Sequence, residues 1–383
     1  MKKRIKKYQS NDLLLIHNSK KIKKKKKNIF IFPLKILIFV IIIFALIKHF
    51  FKKKDNNNNI IIDEGVENII NSNVANLLNG YNYKKTTKKE LNPLLKYVEY
   101  SKKGILLNKN NFILSENPKI SIVISLYNRE QNIQSALRSI QNQNFTDFEI
   151  IIIDDFSTDN SSLYVKEYQK EDPRIILLQN KENMGTLYSK SIGVLYAKGQ
   201  YIQSLDSDDI LCNVNYLSLS YKKAIEDNYD FVSSKSLYIN ELSKIIKFKN
   251  PFWVVIWSKL IKKELYQNSI LRLGIDILKM HVLTLDDDIL APYMFLFKKT
   301  INLPIVGVAH YIHETQHVYL NSFNNIENAK KFCINLMTTV KAFKILRDPY
   351  GFQYKKFLLD NFFNKGFCKY FCKKEDIKSL NDN

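Results

Sequence analysis

Cysteine is scarce in this sequence. Four cysteines among 383 residues are too few for a disulfide framework in a chain of this length. Cys368 and Cys372 stand four residues apart with no matching Cys or His pair nearby, which argues against a zinc site. They read as ordinary thiols on a C-terminal helix, or as part of one incidental disulfide. Glycine numbers only 10. The segment SLYNRE (125–130), which follows the first predicted strand, has none. A nucleotidyltransferase would want a Gly-rich, basic loop there to hold a triphosphate. No internal repeat is present. Acidic residues are the minority, 37 against 59 Lys and Arg, for a net charge of +22. That excess is local. Residues 1–54 hold 17 Lys and Arg against Asp12 alone, a net +16, which leaves +6 for the other 329 residues. A basic nucleic-acid-binding face is excluded by this placement, because the basic run flanks an apolar segment. Lys and Asn runs (Lys23 to Lys27, Asn56 to Asn59) also fit a coding bias towards these residues.

That apolar segment is the first feature present in strength. Ile29 to Ile47 is interrupted only by Lys35 and as a helix would span about 28 Å, the thickness of a bilayer core. Lys35 lies near enough to the start to snorkel to the headgroups, and Pro33 falls in the first turns, where its missing N–H costs least. No small-residue cleavage site follows, so a removed signal peptide is not expected. Lys20, Lys21 and Lys23 to Lys27 precede the segment, and Lys48 and Lys52 to Lys54 follow it. The larger N-terminal group predicts a cytoplasmic N-terminus and a lumenal remainder, a single-pass type II arrangement in the Golgi or ER, with the reverse orientation as the alternative. Two sequons, Asn144 and Asn160, would be accessible there.

The expected organisation is a basic tail (1–28), a transmembrane helix (29–47), a stem (48–117), a main domain (118–320) and a C-terminal helical region (321–383). The main domain alternates strand and helix. Strands are predicted at 119–126, 148–155, 174–179 and 200–205, and helices at 130–142, 160–171 and 186–198. FEIIIIDD does not alternate apolar with polar, as expected for a strand buried on both faces. This is the pattern of an α/β doubly wound, mostly parallel sheet. Ligands of such sheets bind outside the carboxyl ends of the strands. All four ends are polar: SLYNRE, DDFSTDNS, NKENMG and LDSDD. On that rim Asn128 and Arg129 are placed to bracket a nucleoside and its phosphates. Asp154 and Asp155 can accept the imino N–H of uracil. Lys190 can reach a phosphate as a point charge. Asp206 and Asp208, one residue apart in extended chain, share a face. Two convergent carboxylates suit an oxygen-loving divalent cation, Mg²⁺ or Mn²⁺.

At these residues the sequence resembles the family 2 glycosyltransferases of the GT-A fold, clearly from Lys119 to about Asn213 and more weakly to about residue 320. ISIVISLYNRE resembles the opening strand and its Tyr-Asn turn, which brings in Tyr127 as a substrate contact. FEIIIIDDFSTDNS resembles the second strand with its uridine-contacting aspartates, Asp155 the better candidate. LDSDD resembles the metal-binding D-x-D: the resemblance implies Asp206 at ribose and metal, Asp208 as direct ligand, and Asp209 as a structural neighbour. WSKLIKKELY (257–266) resembles an acceptor-side segment. LDDDIL (285–290) stands where the family has an acidic pair containing the catalytic base. Asp287 and Asp288 are the expected pair, Asp288 the base, with Asp286 as the alternative register. His313 is the expected third metal ligand. Lys190 departs from the family's Arg, and Ser125 from its Pro. The resemblance implies a hexosyl or other glycosyl transfer with inversion. The donor would be a nucleoside diphosphate sugar, a UDP-sugar, and the acceptor an unknown glycan, protein or lipid. Mn²⁺ or Mg²⁺ would be required. The alternative is a non-catalytic nucleotide- or sugar-binding protein on the same fold. The tail from about Asn325 reads as amphipathic helices that pack on the domain or lie on a membrane.

Overall fold

The computed structural model describes residues 52–54, 60–62, 88–107, 112–240, 245–249, 256–282, 287, 289–290, 299–311 and 326–346, with isolated positions beyond 350. The chain divides into two units, 1–68 and 69–383. In the first, β1 (Lys52–Lys54) pairs antiparallel with β2 (Ile60–Ile62). The apolar segment Ile29 to Ile47 lies outside the described residues. Among the described residues, no helix is long and apolar enough to cross a membrane.

The second unit opens with α1 (Lys88–Lys102) and then runs β3 (Ile120–Leu126), α2 (Ile133–Gln141), β4 (Phe148–Asp154), α3 (Ser161–Glu171), β5 (Ile175–Gln179), α4 (Thr186–Tyr196), β6 (Tyr201–Asp206) and β7 (Ile210–Leu211). It continues with α5 (Tyr216–Glu226), β8 (Phe231–Ile239), β9 (Ile245–Lys249), β10 (Lys259–Lys262), α6 (Lys263–Leu278), β11 (Thr300–Tyr311) and α7 (Ile326–Leu346). One nine-stranded sheet collects β3 to β11 in the order β5-β4-β3-β6-β10-β8-β11-β7, with β9 on β8. The first four strands in that order are mutually parallel. β10 then runs antiparallel to both β6 and β8, while β11 is parallel to β8 and antiparallel to β7. The sheet is therefore mixed, with the expected doubly wound part as its parallel half.

The burial explains the strand sequences. Alternate residues of a strand face opposite sides. Val123, Ile151 and Ile153 enter one core with Leu187 and Val194 of α4. Ile120, Ile122, Ile124, Ile150 and Ile152 enter the other with Ile133, Leu137 and Ile140 of α2. With helices on both faces, no residue of β4 remains exposed. Gly193 lets α4 come close: a Cβ there would stand 2.4 Å from Ile153 Cδ1 and 2.5 Å from Val123 Cγ1, far inside contact distance.

Two boundaries differ from expectation for a physical reason. The helix predicted from 130 begins at Ile133, because Glu130 is spent on the neighbouring loop: its N–H donates to Asp159 Oδ2 (3.0 Å), and its Oε2 accepts from Asn160 N (3.0 Å). The helix predicted to 198 ends at Tyr196, where Lys198 N–H turns to donate to Glu149 Oε1 at 2.7 Å. The folded unit also extends upstream of 118. Val98 of α1 lies in a third apolar cluster with Ile210, Leu237 and Val306, and Tyr97 Oη donates to the Ser139 carbonyl at 2.9 Å. At the other end, α7 packs on the domain through Cys333, Leu336, Val340 and Phe343. Cys333 is bonded to Cys368, so the C-terminal pairing joins a helix to the tail rather than neighbouring turns.

Candidate active site

Strand register sets the site. Leu126 stands level with Asp154, Asp154 with Gln179, and Ser125 with Asp206. The carboxyl ends of four parallel strands thus finish along one rim.

At the β4 end, Asp154 and Asp155 are buried, 2% and 3% exposed. Asp155 accepts from Asn180 Nδ2 (2.7 Å), Met184 N (2.8 Å) and Gly185 N (2.8 Å). It thereby latches the loop after β5. Gly185 takes a left-handed φ of 90° in that latch, and a Cβ would stand 3.1 Å from the His281 and Val282 backbone. Asp154 accepts from Ser157 N (3.0 Å), Gln179 Nε2 (3.1 Å) and the Ser162 hydroxyl. Burial alone would raise the Asp154 carboxyl, but these three donors outweigh it and hold it below the usual carboxylate range. Both aspartates therefore serve the chain itself with about three of their four lone-pair positions.

At the β3 end, Asn128 has a left-handed φ of 50° and its side-chain oxygen accepts from Thr158 N at 2.8 Å. Arg129 N donates to Ser161 Oγ (2.8 Å), and its Nε lies 3.3 Å from Asp208 Oδ2. Tyr127 is 40% exposed. At the β6 end, Asp206 lies 3.0 Å from Lys190 Nζ. Lys190, itself buried, also stands 3.9 Å from Asp287 Oδ1. Asp287 Oδ2 accepts from Ile256 N at 3.0 Å. The lysine expected at a phosphate thus bridges the first acid of the D-x-D to the second acidic segment. Asp286, Asp288 and His313 lie outside the described residues.

Asp209 behaves as the expected structural neighbour and adds a partner that sequence reading missed. It is fully buried and pairs with His310 Nδ1 at 2.8 Å, while Tyr311 N donates to it at 3.2 Å. His310 is near the end of β11, which pairs with β7 directly after Asp209. The imidazole stacks on Trp257 (centroids 5.0 Å, 12°) and meets Tyr238 edge-on at 5.0 Å. Burial alone would depress His310, but the carboxylates of Asp209, Asp208 and Asp206 lift it to about 9. Burial holds Asp209 above the ordinary carboxylate range. The proton of the pair resides on His310, since three carboxylates favour the imidazolium. Lys259 is a second missed group. It is buried beneath the site, and burial depresses its ammonium to about 7, with Asp287 partly restoring it.

Among the described residues no three His, Cys, Asp or Glu side chains converge as a ready-made metal cage. Asp206, 28% exposed, and Asp208 instead offer two carboxylates separated by one residue in sequence. That fits a cation of the Mg²⁺ class, which takes one or two carboxylates and completes its shell with substrate phosphates and water.

Several known proteins resemble this chain over part of its length. The family model described as Glycosyl transferase family 2 matches residues 121–301. The UDP-Glc:alpha-D-GlcNAc-diphosphoundecaprenol beta-1,3-glucosyltransferase of Escherichia coli is 30% identical over 46% of this chain and 64% of its own length. Glycosyltransferase GlyG of Streptococcus pneumoniae is 30% identical over 38% of this chain and 58% of its own. The chain therefore spans less than two thirds of these curated relatives. Among solved structures, S. aureus TarS in complex with UDP is 17% identical at a TM-score of 0.45, covering 69% of this chain and 81% of that one. The polar strand ends described above lie inside the stretch that the family model matches.

Proposed function

We propose that this protein transfers a sugar, with inversion, from a UDP-sugar to an acceptor hydroxyl in a reaction that depends on Mn²⁺ or Mg²⁺. The observation that carries the reading is the pair Asp206 and Asp208 at the end of β6, each already facing one cation of the chain, Lys190 and Arg129. A bound divalent ion would supply charge stabilisation to the departing nucleoside diphosphate. Asp206 and Asp208 would hold that ion, and His313 would be a further ligand. Tyr127, Asn128 and Arg129 would flank the nucleoside, with Asp154 and Asp155 shaping the pocket for its base. Asp287 is anchored by Ile256 N–H and Lys190. This supports Asp287 as the fixed member of its pair and Asp288 as the base that removes the acceptor proton. The E. coli relative's UDP-Glc donor, given in its name, supports a UDP-sugar here.

The acceptor is held near a membrane in our reading, through the apolar segment at 29–47 and a lumenal catalytic domain in the Golgi or ER. Two relatives, one of them from Campylobacter jejuni at 38% identity over 28% of this chain and 35% of its own, are named for undecaprenol-linked acceptors, which supports a lipid-linked one. Protease protection on intact vesicles tests the orientation. For the chemistry, full-length protein in detergent should turn over one of a panel of UDP-sugars when Mn²⁺ is supplied. Asp208→Ala should lower that turnover by about 10² to 10³-fold. Full activity in that variant would sink the metal role. UDP binding without turnover on a broad donor and acceptor screen would establish the non-catalytic alternative.

A further inference from the structure

Phe156 bears two costs that the fold does not recover. Its φ is +67°, a left-handed conformation that brings the Cβ of a bulky L-residue against the following carbonyl. Its ring is also 52% exposed, so the residue gains little burial from the chain. The conformation is not slack. Ser157 N donates to Asp154 Oδ1 at 3.0 Å, and Asn128 N donates to Ser157 Oγ at 3.1 Å. Thr158 N is held by Asn128 Oδ1 at 2.8 Å. The loop is pinned directly after Phe156, and the ring is presented rather than left over. Strain of this kind persists where the surroundings over-determine it, and it clusters at ligand-binding positions.

The address of the ring is specific. Tyr127, also exposed, follows β3, and Phe156 follows β4 by one further residue. The register places Leu126 beside Asp154, so these aromatics stand on adjacent strand ends. Asp206 lies on the other side of β3, level with Ser125. Two strand spacings, about 10 Å, therefore separate the acidic end of the rim from the aromatic end. That is the order of distance from a diphosphate to its base across a ribose. Asp154 and Asp155, between them, already accept six hydrogen bonds from their own chain. Little of a base's binding energy is left for them to supply.

We propose that Phe156 is a nucleobase platform: its ring, held out by the left-handed backbone, stacks on the planar base of the donor nucleotide beside Tyr127. The inference rests on the reading of this rim as a nucleoside diphosphate site and adds to it the residue that grips the base. Aromatic faces stack on bases tolerantly, so Phe156 sets affinity for the nucleoside part without choosing the sugar.

The test separates base from phosphate. UDP and inorganic diphosphate, each with Mn²⁺, are titrated calorimetrically into full-length protein in detergent. Phe156→Ala should weaken UDP about tenfold and leave diphosphate unchanged, while Phe156→Trp retains UDP affinity. Phe156→Gly should lose the same affinity with a Tm that holds or rises, because glycine accepts a positive φ without strain. A purely structural Phe156 would weaken both ligands together and lower the Tm of the glycine variant; that result overturns the proposal. So does a Phe156→Ala variant that binds UDP within about twofold of wild type. Wild-type protein that binds neither ligand refutes the nucleotide-site reading itself, and the platform with it.

Discussion

Two buried aspartates, one in each half of the sheet, are satisfied by different means. In the parallel half, Asp155 is satisfied by two backbone N–H groups and one amide of its own rim, all neutral donors within 30 residues. In the mixed half, Asp209 is satisfied by His310, 101 residues away, while Asp287 accepts from a backbone N–H and faces Lys190 at 3.9 Å. Asp155 is quieted by neutral donors of its own rim. Asp209 is quieted by a charge brought from a distant strand. The first arrangement ties one loop of the rim to the next. In the second, Lys190 stands between Asp206 and Asp287, on different parts of the sequence.

The comparison is most exposed at His310. Removing one member of a buried ion pair leaves its partner uncompensated, so His310→Ala should cost about 3 to 5 kcal/mol in denaturant unfolding. A loss below about 1 kcal/mol, the range of a surface pair, would break the contrast. The parallel half gives a smaller number. Asp155→Ala orphans the buried Gly185 N–H and the Met184 N–H, and should cost about 2 to 3 kcal/mol. Hydrogen exchange should show the loss localised to 180–185. A pH-dependent effect sharpens the electrostatic side. Lys259 has a folded pKa of about 7, below the unfolded value of about 10.4. The unfolded chain then binds the extra proton between those values, so stability rises with pH across that window by about 1.4 kcal/mol per unit. Unfolding followed from pH 7 to 9 should show this slope in the wild type and a flatter one in Lys259→Met. An unchanged slope would assign the pH response to another group.

The same contrast explains what was legible beforehand. β3 to β6 and their helices could be read because each strand is a compact β-branched run ending in a polar loop, a local signal. Asp206 could be placed at a strand end, with Asp208 just beyond it, for the same reason: the position follows from the local run. Asp209 could only be set aside as a neighbour, since His310 reaches it through the β11–β7 pairing, which leaves no trace in local spacing. Lys259 opens the short strand KLIK, and its burial is visible only once β10 is seen between β6 and β8. Lys190 was legible as a cation near the rim, but its approach to Asp287 joins distant parts of the sequence and leaves no local signal. The left-handed Phe156 was equally hidden, because a sequence shows a residue's identity and not the sign of its φ.

Gly193 lies one turn of α4 beyond Lys190, where the helix presses on Val123 and Ile153. The height of that helix above the sheet is therefore gauged by the absence of a side chain. Lys190 is the tip of a lever whose fulcrum is this bare backbone, and the 3.0 Å reach to Asp206 is calibrated from beneath. Tuning of this charge bridge is thus open to a residue that belongs to neither of its charges.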